Sequence, residues 1–133
     1  MDFTELEKNI FALIEEQKRG PKYLQWLFIK TSRRLLLLDV EGIIWLEAQG
    51  NYVRVHHKRG SHLLRETMNA LESQLNPRNF LRIRRSVIVQ IDQIRELQRY
   101  FHGDYLVTLR NGTQLTLTRN YRSKFREAVG VAL

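Results

Sequence analysis

The sequence contains no cysteine and only two prolines among its 133 residues. Disulfides, thiolate nucleophiles and cysteine-held metals are therefore excluded, and stability must come from burial and hydrogen bonding. Long apolar runs are missing as well. Uninterrupted ones reach only four residues, as at Leu35 to Leu38, where a membrane-spanning helix needs about 20. The opening MDFTELEKN is acidic, unlike the basic start of a signal peptide. These absences lead us to expect a cytoplasmic protein with no membrane span. Internal repeats and low-complexity stretches are lacking too. With 43% hydrophobic residues, the chain is expected to fold as one domain with at most a short appended element.

What is abundant is positive charge. Lysines and arginines number 22 against 14 aspartates and glutamates, a net charge of +8. The excess is unevenly placed. Residues 1–20 hold three cations (Lys8, Lys18, Arg19) and five carboxylates (Asp2, Glu5, Glu7, Glu15, Glu16), a balance of −2 that leaves +10 for the remainder. Such an excess attracts polyanions, so a nucleic acid is the expected partner and its surface is expected after residue 20.

Phe3 to Glu16 places Phe3, Leu6, Ile10, Ala12, Leu13 and Ile14 near helical spacing, which predicts an amphipathic helix. Lys18-Arg19-Gly20-Pro21 should end it, because glycine suits helix ends and proline disfavours helix at the preceding residue. The expected division is an N-terminal helix and linker over 1–20 and a second unit over 21–133. From Tyr23 onward come ten short runs rich in Ile, Val, Leu, Tyr, Trp and Thr: YLQWLFIK, RLLLLD, IIWLEAQ, NYVRVHH, SHLLR, FLRIR, SVIVQI, IRELQRY, DYLVTLR and TQLTLT. Separated by turn residues, they predict a mainly β, antiparallel architecture.

Two short helices are expected within it. One is Thr67 to Leu75, capped by Thr67 and ended by Asn76-Pro77. The other is Asn120 to Val129, with Asn120 as its N-cap and an apolar stripe of Tyr121, Phe125, Ala128 and Val129. In DYLVTLRNGTQLTLT, a three-residue loop Asn111-Gly112-Thr113 would set Leu109 against Leu115 and Val107 against Leu117. Gly112 would be its left-handed residue, and the apolar side chains would share one face.

Catalysis has no candidate residues. His56 and His57 are adjacent on a predicted strand and point to opposite faces, while His62 and His102 sit in turn-like settings without a carboxylate at ligand spacing. Asp39 ends an apolar run as a phospho-accepting aspartate would, yet the acidic pair and strand-helix alternation of such a domain are missing. No Gly-rich phosphate loop or nucleophile-base set is present. We expect a non-enzyme with no cofactor and no metal.

The sharper signal is Phe80-Leu81-Arg82-Ile83-Arg84-Arg85-Ser86. Strand alternation would put Arg82 and Arg84 on one face, opposite Leu81 and Ile83. Arg85, at the strand's end, is placed to enter a groove and fork onto guanine, with Ser86 donating to a phosphate. A charged edge strand that merely discourages aggregation would look similar, but the domain-wide charge favours polyanion binding. Thr118-Arg119-Asn120-Tyr121-Arg122 repeats the arrangement at a strand-to-helix junction. An RNA-binding or non-specific basic module is the alternative. It would expose aromatics on a sheet face, whereas Trp26, Phe28, Trp45, Phe80 and Phe125 lie in patterns that suit a core.

Ile43-Ile44-Trp45-Leu46-Glu47-Ala48-Gln49-Gly50-Asn51-Tyr52-Val53 resembles the signature of the LytTR family of DNA-binding domains. Arg65 to Glu72, Phe80 to Val89, and Leu109 to Gly112 with Leu115 to Arg119 agree with it in order, over about residues 23 to 129. The resemblance implies elongated antiparallel sheets with short helices that present loops, rather than a recognition helix, to successive major grooves of double-stranded DNA. By it, the contact loops are Asn51-Tyr52, Arg84-Arg85-Ser86 and Arg119-Asn120. Arg85 and Arg119 would face base edges, while Arg84, Ser86, Arg122 and Lys124 would hold phosphates. Trp45 and Glu47 look like fold residues, and Tyr52 fits core and interface equally. The chain departs from the family at Arg84, where histidine is frequent, and at Gln90, where asparagine is. Family members usually carry a receiver domain or a membrane segment upstream, so an upstream receiver or sensor domain of a two-component regulator and a site of repeated half-sites are expected for this chain. The N-terminal helix is accordingly read as a linker's tail or a homodimer contact, ahead of the third option, packing on its own β domain.

Overall fold

A computed structural model of the chain describes residues 3–19, 23–130 and 133. The expected N-terminal helix is present as α1 (Phe3–Arg19). The Gly20-Pro21 part of the expected linker lies outside the described residues. Every one of the ten apolar runs contains a strand. They are β1 (Trp26–Lys30), β2 (Leu35–Asp39), β3 (Ile43–Gln49), β4 (Tyr52–His57), β5 (Gly60–Leu64), β6 (Phe80–Arg84), β7 (Val87–Gln90), β8 (Ile94–Arg99), β9 (Tyr105–Leu109) and β10 (Gln114–Leu117). Helix α2 (Met68–Gln74) sits between β5 and β6, and α3 (Arg122–Val129) follows β10.

All pairings are antiparallel. The central sheet has the order β5-β4-β3-β7-β6, β8 to β10 form a three-stranded meander, and β1-β2 is a separate hairpin. The central sheet is covered on both faces, which explains why β7 is apolar or buried at every position. Its Ile88 faces one core, built with Leu27, Ile29 and Leu38 of the β1-β2 hairpin, Leu71 and Leu75 of the α2 region, and Ile14 of α1. Its Val87 and Val89 face the other, built with Val107, Leu109, Leu115 and Leu117 of the meander and Phe125 of α3. The aromatics Trp45, Phe80 and Phe125 are buried as expected, and Trp26 and Phe28 are packed partly against the first core.

Local details follow the chemistry of single residues. Thr67 caps α2 by accepting the Ala70 N–H at 3.1 Å. His57 is buried, with Nε2 2.9 Å from the Asp39 carbonyl and 3.1 Å from its carboxylate, and Nδ1 accepting the Arg59 N–H. A Cβ on Gly42 would collide with that ring, so glycine is required where the turn into β3 crosses it. Gln90 is buried and its amide donates to the carbonyls of Glu41 and Ile43 at 3.0 and 2.8 Å, so the longer side chain still joins β7 to the entry of β3. Trp45 stacks on His56 at 4.0 Å, and Glu47 reaches His56 Nε2 at 2.9 Å, as suits fold residues.

Four expectations about turns, caps and helix faces need correction, and a fifth, on Arg82 and Arg84, is taken up with the site below. Leu115 pairs with Val107 and Leu117 with Tyr105, two residues away from the anticipated register, around a loop of Arg110-Asn111-Gly112 closed by Leu109 N–H to Thr113 C=O at 2.8 Å. Gly112 does take a positive φ of 92°. Asn120 does not cap α3: residues Arg119–Tyr121 form a 3-10 turn, and the helix begins at Arg122 with no side-chain cap. Ala128 of the expected stripe is exposed. His62 lies within β5 rather than in a turn.

Candidate nucleic-acid interface

The three loops singled out from the sequence are built differently, and hydrogen bonds between them string them along one end of the sheets. Gly50-Asn51 is the two-residue turn of the β3-β4 hairpin, closed by the Gln49-Tyr52 pair, with Gly50 at φ 58°. A residue there without glycine's freedom would be strained. Arg85-Ser86 is the turn between β6 and β7, and its Ser86 carbonyl accepts the Ala48 N–H at 2.9 Å, next to the first turn. The Thr118 N–H then donates to the Ile83 carbonyl at 3.0 Å, which brings the β10-α3 junction against the end of β6. Last, the Arg119 N–H donates to Asp104 Oδ1 at 2.9 Å, joining that junction to the β8-β9 loop. Four connections thus form one continuous edge.

On this edge Asn51, Tyr52, Arg85, Arg119, Asn120 and Lys124 are exposed, while Arg84, Ser86 and Arg122 are half-buried. Tyr52, at 42% exposure, is a surface residue rather than a core one. Among the described residues, none of Arg84, Arg85, Arg119, Arg122 or Lys124 is ion-paired with a carboxylate. Their charge is left uncompensated. Arg84 Nε is also buried without a hydrogen-bond partner.

Arg82 is different, and the sequence alone did not reveal its role. A register slip between Arg82 and Arg84 sets Arg82 opposite Ile88 and Arg84 opposite Val87. Neighbouring residues of β7 face opposite ways, so the bulge sends the two arginines to opposite faces instead of the shared one. Arg82 turns toward α2, where it donates to Asn69 Oδ1 at 2.6 Å and Glu72 Oε1 at 3.1 Å, and its Nε donates to the Arg85 carbonyl at 3.1 Å. Its side chain is only 10% exposed. It braces the Arg85-Ser86 turn from behind. Arg65, at the end of β5, was also missed. It lines a depression with Asn51, Tyr52 and Thr67, next to a second one lined by Thr67, Asn69, Arg85 and Ser86. A lone arginine before a helix carries no spacing signal.

Uncompensated cations on a row of loops, held by a β scaffold, fit the class of polyanion-binding domains. The family is settled by comparison: the model of the LytTr DNA-binding domain matches residues 33–130, and the chain belongs to that family. It is a DNA-binding domain. It is similar to the transcriptional regulatory protein LytR of Staphylococcus aureus (strain N315), 28% identical over 107 residues that cover 80% of this chain and 44% of that protein. It is also similar to the sensory transduction protein LytT of Bacillus subtilis (strain 168), 20% identical over 119 residues that cover 90% of this chain and 49% of that one. The chain spans less than half the length of these curated relatives. A solved LytTr DNA-binding domain of a putative methyl-accepting/DNA response regulator from Bacillus cereus has the same fold, with a TM-score of 0.74 at 22% identity over 80% of this chain and 98% of that one.

Proposed function

We propose that the domain recognises particular sequences in double-stranded DNA, as the cytoplasmic effector end of a bacterial transcriptional regulator that reads major grooves through its loops. The observation that carries this reading is the row of unpaired cations on the four-loop edge. Arg85 and Arg119 stand exposed at turn tips, where a planar guanidinium can fork onto guanine O6 and N7. Asn51 and Tyr52 supply a third loop. Arg84, Ser86, Arg122 and Lys124, set back from these tips, hold phosphates and fix the register on the duplex.

The likeness to LytR and LytT extends the proposal to an upstream receiver or sensor domain and a two-component system. A homodimer on repeated half-sites belongs to the same reading. Helix α1 already packs one side on its own domain: Ile14 is buried in the first core and Phe11 meets Phe28 edge-on at 6.4 Å. Leu6 and Leu13, seven residues apart and so on one face, stay exposed at 39% and 53%, which suits a second copy.

The test is selection of bound sequences from a random duplex library at near-physiological salt. We expect a short motif, repeated at about one helical turn in a dimer's site. Arg85→Ala and Arg119→Ala should each cost about 1 to 3 kcal/mol on the selected site and relax preference at one position. Equal binding of all duplexes, or of RNA, would replace sequence readout with non-specific attraction.

A further inference from the structure

We propose that the β8-β9 loop, Tyr100-Phe101-His102-Gly103, is an additional contact with duplex DNA. In this contact its two aromatic rings press against the sugar wall of the groove beside Arg119. The proposal rests on the reading of Arg119 as a DNA-facing residue.

The loop presents apolar surface in an ordered way. Phe101 is 67% exposed, the most exposed of the described large hydrophobic side chains, and Tyr100 is 52% exposed. Their rings lie 4.7 Å apart, tilted against one another, so they form one small apolar knob rather than two loose side chains. The backbone beneath is closed by two hydrogen bonds of 3.0 Å, from the Tyr100 N–H to the Asp104 carbonyl and from the Asp104 N–H to the Phe101 carbonyl. His102 sits at φ 55°, ψ 33°, and it is the one non-glycine residue with positive φ among those described. That conformation is disfavoured for a residue with a Cβ. The fold therefore holds two water-exposed aromatic rings on a constrained turn, a combination that marks a contact surface.

The position of the knob decides the partner. Asp104 Oδ1 accepts the Arg119 N–H, and a Cβ on Gly103 would stand 3.0 Å from Arg119 Cδ. The loop's backbone thus lies along the aliphatic stem of Arg119, so a duplex that meets Arg119 also meets this loop. The loop is flanked by Arg99 and Arg119, and its own carboxylate, Asp104, is occupied by a backbone N–H. Cations around an apolar knob suit a surface that alternates phosphate charge with apolar sugar, as duplex DNA does. Gly103 is the residue that lets loop and stem lie together.

The test compares Phe101→Ala, Tyr100→Ala and their double with Phe101→Trp and Arg119→Ala. Affinity for the selected duplex is measured over a salt series, with hydroxyl-radical footprints of each complex. Both rings are exposed, so thermal melts should match the parent protein, and either single variant suffices if the double does not fold. We expect the double to bind about tenfold more weakly, the scale set by losing the partial burial of two aromatic rings. Its salt slope should be unchanged, because an apolar contact releases no counterions, and sugar protection should be lost at one flank of the footprint. Phe101→Trp, which keeps an aromatic ring at the tip, should retain both the affinity and the sugar protection. Unchanged affinity and footprint in the ring variants, with Arg119→Ala weakened, overturns this inference alone. If Arg119→Ala is also without effect, the reading of Arg119 fails and this inference falls with it. Loss of self-association or of transcription output at unchanged DNA affinity would make the loop a protein contact and likewise overturn the proposal.

Discussion

Three arginines within four positions, Arg82, Arg84 and Arg85, have three different fates. Arg85 is exposed, Arg84 is half-buried with an unpartnered Nε, and Arg82 is spent inside the protein on Asn69, Glu72 and the Arg85 carbonyl. A guanidinium is a rigid fork, so anchoring it on two α2 side chains fixes where it holds the turn. Glu72→Ala separates this bracing from simple electrostatics. Removing a carboxylate from a domain that binds DNA should tighten binding to every duplex if charge alone matters. If Arg82 positions the turn, the same variant should weaken specific binding by about 1 kcal/mol, the net scale of one hydrogen bond, while random duplex is bound no more weakly. Affinities of Glu72→Ala for both duplexes decide it. In an Arg85→Ala background the specific loss should vanish, since coupled residues are not additive.

At the level of elements, the strands were legible because each falls in a short run rich in β-branched, aromatic or leucine residues between turn residues, and Thr67 announced the start of α2. What misled was local. The β9-β10 register was displaced by two, and a shift of two leaves every side chain on its original face, so hydrophobic pattern cannot detect it. The bulge between Arg82 and Arg84 is set by pairing with β7, which no short window of sequence contains. The turn at Asn120 was similarly settled by packing against β6, through the Thr118 N–H to Ile83 C=O bond. Gly42 was not singled out at all, because its need for a missing Cβ comes from His57, 15 positions along the chain in β4. Gly42→Ala must displace a buried ring that is hydrogen-bonded to Asp39 and Arg59. We expect a loss of about 1 to 3 kcal/mol in chemical denaturation, the usual cost of overpacking. A stability equal to the parent's would mean that the ring moves freely.

For the whole molecule, composition pointed to a polyanion partner through the +10 that follows residue 20, but composition has no direction. Which cations share an edge depends on three long-range hydrogen bonds, Ala48 to Ser86, Thr118 to Ile83 and Arg119 to Asp104, and only the family resemblance anticipated that grouping. The β8-β9 loop escaped notice because exposed aromatics look like core residues in a linear pattern. Salt dependence measures the edge as a unit. Each phosphate neutralised by a cation contributes about −0.9 to the slope of log affinity against log salt on duplex DNA. Arg122→Ala, at the start of α3, should therefore lower that slope by about 1 and weaken selected and random duplexes nearly alike. Arg85→Ala should instead spare random duplex. If Arg122→Ala reduced only specific binding and left the slope intact, Arg122 would be facing a base, and the division of the edge into reading tips and phosphate-holding flanks would have to be redrawn.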